Sequence, residues 1–173
     1  MSKDQLFFTI FEGIPKYIMT KQYYTELYER DLQRLIMEME AYPQPEEMWL
    51  NATGISNTSG HLAQHLIGNL RTFVCAPMGG FPYERDREAE FKAVRFTDEE
   101  LLKELYALKA DVKASIEKLE DLNAAYPIHI KAVCEGQTND FMLCHLLAHL
   151  AYHTGQINYH RRLLTTPVIP VQK

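Results

Sequence analysis

The stretch HLLAHLAYHTGQINYH, residues 145–160, constrains this chain more than any other. Histidines recur every four residues at 145, 149 and 153, with His160 following; on a helix of 3.6 residues per turn they share, with Gln156, one stripe less than a quarter-turn wide. Such a stripe cannot simply be buried. A single histidine on a helix face is more often a polar residue that packs or caps, but three imidazoles side by side leave several donors and acceptors in need of partners. Imidazole is the commonest transition-metal ligand at neutral pH, and two histidines four apart can aim at one ion. The spacing therefore predicts a metal site.

A second polar stripe is needed to face the first. Asn57, Thr58 and Ser59 offer N-caps for a helix carrying Leu62, Leu66, Leu70, Phe73 and Val74 to about Ala76-Pro77, and His61, His65 and Asn69 lie four apart on it. Before it, Pro15 is placed for the first turn of a helix whose Tyr17, Tyr24, Leu27, Tyr28, Leu32, Leu35, Ile36 and Met39 recur at helical spacing. Pro43 and Pro45 end that helix, and Trp49 is expected to fold back from the connection. From Met78 to Thr97 the periodicity breaks, which implies a crossover. Thr97 and Glu100 then form a capping box for a third helix with Leu101, Leu105, Leu108, Val112, Ile116 and Leu119. Between Tyr126 and Gln137 a short hairpin is possible. Thr138, Asn139 or Asp140 caps the fourth helix, which runs through the histidines to about Leu164. Arg161 and Arg162 suit its C-terminal end.

The fold expected is all-α: one domain, residues 1–173, built as a four-helix bundle with a long crossover between helices two and three. Bundle cores are where facing helices assemble metal sites.

Totals exclude some classes of function. A net charge of −5 argues against a nucleic-acid partner, and no apolar run suits a membrane span. In the crossover, Arg85, Arg87, Lys92 and Arg95 alternate with Glu84, Asp86, Glu88 and Glu90, which reads as a solvated connection. Cys75, Cys134 and Cys144 have neither disulfide nor zinc-knuckle spacing and read as small buried hydrophobes. No signal peptide is evident, so a reducing cytoplasm is the expected compartment.

If His149 and His153 supply two ligands, a third must come from a neighbouring helix, and His65, flanked by Leu62 and Leu66, is better placed than His61 near the helix start. His145 and His160 lie about one and two turns from the pair, too far for one ion to use all four. Three histidines leave coordination open, as a catalytic site requires. Zinc is the leading ion, with nickel, cobalt, iron or manganese possible. HLAYH has the i, i+4 spacing of the zinc-protease motif HExxH but lacks its glutamate base, which disfavours peptide hydrolysis. An open cationic site suits instead a thiol, whose coordination produces the nucleophilic thiolate. Asn69 and Gln156 are candidates for orienting ligands or substrate by hydrogen bonds.

SGHLAQHLIGNLRTFV, then DREAEF, then HLLAHLAYHTGQINYHRRLL, resemble the DinB-like (YfiT-like) metalloenzyme superfamily over nearly the whole chain. The resemblance implies a four-helix bundle, commonly dimeric, with a divalent metal held by His65, His149 and His153. Characterised relatives of that kind include transferases and isomerases using a low-molecular-weight thiol such as bacillithiol, mycothiol or glutathione. The expected protein is thus a cytoplasmic, homodimeric, metal-dependent enzyme joining such a thiol to an electrophilic small molecule. A hydrolase using metal-bound water, and a non-catalytic metal-binding or stress-response bundle, are the alternatives.

Overall fold

The computed structural model describes residues 20–128 and 135–165. Among them the architecture is helical: α1 (Lys21–Glu40), α2 (Ser59–Leu70), a one-turn α3 (Ala89–Lys92), α4 (Asp98–Lys118) and α5 (Asn139–Thr165). A 3₁₀ turn, Pro45–Trp49, lies between α1 and α2. None of these helices is long and apolar enough to cross a membrane.

Local chemistry explains the starts. The Thr58 hydroxyl accepts from His61 N at the head of α2, and Thr138 Oγ1 accepts from Phe141 N at the head of α5. At α4 the Thr97–Glu100 capping box forms as its spacing predicts. Thr20 caps α1, so the expected start near Pro15 and Tyr17 lies outside the described residues, as does whatever follows Thr165.

The second helical run ends at Gly79, close to the expected end near Ala76-Pro77, but it is not α-helical throughout. Beyond Leu70 it widens into a π-helical turn, Arg71–Gly79, which accommodates Pro77 although proline has no N–H to give the ladder. Gly80, at φ 73°, then turns the chain out of the helix in a left-handed conformation that glycine adopts without strain.

α1 packs against α4 and α5, and α2 packs against the same two, so each pair shares its neighbours. Their apolar stripes meet in one core: Tyr24, Tyr28 and Leu32 of α1, Leu66 and Leu70 of α2, Leu105, Leu108 and Val112 of α4, and Leu146, Leu150 and Ile157 of α5 are all essentially inaccessible. Trp49 folds back against this core as expected.

The segment read as a possible hairpin is joined at its ends by an antiparallel bridge, Ala125 to Thr138, with Tyr126 N donating to Gln137 O at 2.8 Å. Its interior, 129–134, is outside the described residues.

Two expectations are corrected. The crossover is not wholly solvated: it contains α3, which docks on α2, and there Glu90 is fully buried and Arg85 half-buried, while Glu84, Asp86, Arg87, Glu88, Lys92 and Arg95 stay exposed. Cys144 is exposed, because Met142, Leu143 and Leu146 take the core positions around it; Cys75 is buried, and burial pushes its thiol up to about 12. Cys134 lies outside the described residues.

Candidate metal centre

The two polar stripes meet. His65 on α2 faces His149 and His153 on α5, and one nitrogen from each lies within 4.8 Å of the others. His149 Nε2 stands 3.4 Å from His65 Nε2 and 3.1 Å from His153 Nε2. Ligands placed tetrahedrally about 2.0–2.1 Å from an ion stand about 3.3–3.4 Å from one another, and at right angles about 2.9 Å. The observed separations fall in that range.

Protonation decides whether those nitrogens can be ligands. His65 Nδ1 lies 3.0 Å from Glu90 Oε2 and 3.3 Å from Arg85 Nη2; the carboxylate is the nearer partner and only accepts, so Nδ1 carries the proton and, in the neutral ring, Nε2 keeps its lone pair. His153 Nδ1 lies 2.6 Å from Gln156 Oε1, again an acceptor, with the same result. Two lone pairs thus point toward His149 Nε2. An N–H on that atom could satisfy only one of them; a cation can be shared by all three. His149 Nδ1 is buried and has no partner among the described residues.

Burial favours the neutral form of His149 and His153. Burial, and after it the neighbouring His153 and His65, lowers His149 to about 4. Burial also lowers His153, against an opposing contribution from its bond to Gln156. Burial alone would raise the Glu90 carboxyl, but the hydrogen bonds of Arg85 and His65, and their charges, outweigh it and hold the group below its usual value. Phe91 packs on the His65 ring at 4.9 Å between centroids, and Tyr152 stands edge-on to His153 at 5.1 Å. The donor set, three imidazole nitrogens, fits a borderline divalent ion.

Other expected residues fall variously. Gln156 touches His153 directly and is exposed. Asn69 is buried one turn along α2 from His65 but makes no hydrogen bond to the triad, and its Oδ1 has no partner among the described residues. His61 is half-buried, bonded through Nδ1 to Thr58 Oγ1 at 3.0 Å and standing edge-on to Trp49. His145 is exposed and stacks on Phe141. His160, read as a surface or supporting residue, is instead buried: its Nδ1 lies 2.8 Å from the Tyr42 hydroxyl and its Nε2 2.8 Å from Leu50 O. The reason is that the Tyr42–Leu50 connection folds over that end of α5. Arg161, expected to cap α5, reaches Glu38 of α1 at 2.8 Å.

Glu90 and Arg85 were missed as site residues. One signal was available: Gly68, one turn after His65, breaks a run of good helix formers and leaves room where a Cβ would overlap Glu90 Oε1. Glycine inside a helix marks a close approach.

Fold and site together define an all-helical protein with a three-histidine cluster able to hold a metal ion. Comparison with protein families, characterised proteins and solved structures finds no match.

Proposed function

We propose that the protein is a divalent-metal-dependent transferase of the DinB-like four-helix-bundle type, with zinc the favoured ion, that activates a low-molecular-weight thiol for attack on an electrophile. The bundle reading draws support from four long helices, α1, α2, α4 and α5, with a crossover between α2 and α4. The observation that carries the functional reading is the convergence of His65, His149 and His153, whose nitrogens lie within 4.8 Å of one another, with His149 Nε2 at 3.4 Å from His65 and 3.1 Å from His153. Bound there, a divalent cation would supply the Lewis acidity that lowers a thiol's pKa until the thiolate prevails at neutral pH.

The chain's own residues bind, orient and admit. His65 and His153 are held in the ligating tautomer by Glu90 and Gln156. His153 is partly open to solvent beside the exposed Tyr152 and Gln156, which gives substrate an approach from that side. Hydrolysis is less well supported. The carboxylate that touches the triad, Glu90, sits on the Nδ1 edge of His65, away from the converging Nε2 atoms, and both its oxygens are occupied by Arg85 and His65. It is badly placed as a base for water.

The test is a panel of low-molecular-weight thiols with an electrophilic reporter, before and after chelation. Metal-dependent loss of free thiol is expected, and its absence in His149→Ala. Thiol-independent turnover of esters or amides would favour the hydrolase, and metal binding without turnover a storage or stress-response role.

A further inference from the structure

The triad is braced from outside the two helices that carry it. Glu90 of α3 has no solvent exposure, and its oxygens are fully engaged: Oε1 accepts from Arg85 Nε at 2.7 Å, and Oε2 accepts from Arg85 Nη2 at 2.8 Å and from His65 Nδ1 at 3.0 Å. Gly68 provides the space for that carboxylate. The backbone around it is pinned by the buried Gln64, whose Nε2 donates to the carbonyls of Glu90 at 3.1 Å and Ala93 at 2.9 Å, while its Oε1 accepts from Arg95 N at 2.7 Å. One helix face, Gln64, His65 and Gly68, therefore carries a triad ligand and also receives the crossover.

We infer that Glu90 is a positioning residue for a divalent cation at His65, His149 and His153, and that through its bond to His65 cation binding and docking of the crossover are linked. This rests on the metal-binding reading above. The acceptor-only Glu90 carboxylate, nearer to Nδ1 at 3.0 Å than Arg85 Nη2 at 3.3 Å, fixes the His65 tautomer and its ring orientation; without the carboxylate the Arg85 donor is left facing Nδ1 and favours the N–H on Nε2, toward the other two histidines. Arg85 keeps the carboxylate charged in a buried place, where an unpaired charge would be costly. A cation on Nε2 makes the Nδ1–H a stronger donor, so the bond that favours cation binding also tightens α3 on α2. Linkage makes the two effects equal in size. Groups that brace a ligating histidine in this way change affinity about 10–100-fold when removed.

The experiment uses the full chain as wild type and as Glu90→Gln, with zinc titrated in competition with a chromophoric chelator and trypsin cleavage after Arg87 and Lys92, both exposed on the crossover, timed with and without zinc. We expect zinc affinity to fall about 10–100-fold in Glu90→Gln. Zinc should slow crossover cleavage in the wild type and do so far less in the variant. If Glu90→Gln does not fold, Glu90→Asp keeps the charge for Arg85 but withdraws it from His65, and the same losses are expected. A purely structural Glu90 would alter cleavage of the zinc-free protein yet leave the zinc affinity of the folded variant intact, which overturns the positioning role. Zinc that binds the wild type without slowing cleavage overturns the linkage. Failure of the wild type to bind zinc at all overturns this inference together with the reading beneath it.

Discussion

Two histidine sites lie on α5, with His160 seven residues beyond His153, and they have opposite logic. At His160 both ring nitrogens end on groups of the chain itself, the Tyr42 hydroxyl and the Leu50 carbonyl, and Tyr42 goes on to Ser59 Oγ at 2.7 Å. Each ring nitrogen of His160 thus has a partner supplied by the chain itself. At His149 and His153 the outer nitrogens are anchored or buried, and the inner ones face each other and His65. Proximity to other histidines is not enough to argue a ligand; the inward lone pairs at the triad are what support the metal reading proposed above. The first site ties a connection to α5, whereas the second has its coordination left over.

That contrast breaks most visibly at the triad. His149→Ala should weaken zinc binding by more than about 100-fold, beyond the loss expected for a bracing group, in a chelator competition. His160→Ala should leave zinc affinity unchanged but lower unfolding stability in urea by roughly 3 kcal/mol, since it opens a cavity and strands Leu50 O. Equal zinc loss in both variants would erase the distinction. Saturating zinc at about 100 times its Kd should add about 2.7 kcal/mol, raising the thermal midpoint by roughly 5–10 °C in wild type and His160→Ala, with a gain below about 0.4 kcal/mol in His149→Ala. The smallest effect is expected from Gln156→Ala. Its amide is exposed, so the lost anchor at His153 should cost no more than about tenfold in zinc affinity, below the effect of Glu90→Gln.

What could be read in the sequence was what local periodicity encodes. The spacing of 145, 149 and 153, the cap at Thr97, the sets of cap candidates that included Thr58 and Thr138, and the expectation that His65 rather than His61 faces the last helix depend on residues a turn or two apart. What escaped was set by distant docking. Glu90 sits in a run of alternating charges that looks solvated, and only the seating of α3 on α2, 25 residues away from His65, shows that this one carboxylate is buried. The acceptor for His160 is a backbone carbonyl 110 residues distant, of which no side-chain pattern gives notice. Cys144 was misjudged because α5 is apolar on more than one face, with Phe141, Tyr152, Tyr159 and Leu163 exposed, so hydrophobicity alone did not tell its inside from its outside.

The central claim, that His65, His149 and His153 together hold one divalent ion, is tested most directly by X-ray absorption at the zinc edge of the zinc-loaded protein. The account predicts one zinc per chain with three imidazole nitrogens at about 2.0–2.1 Å, and loss of imidazole scattering in His149→Ala. A first shell of oxygen alone, or a spectrum that His149→Ala leaves unchanged, would contradict it.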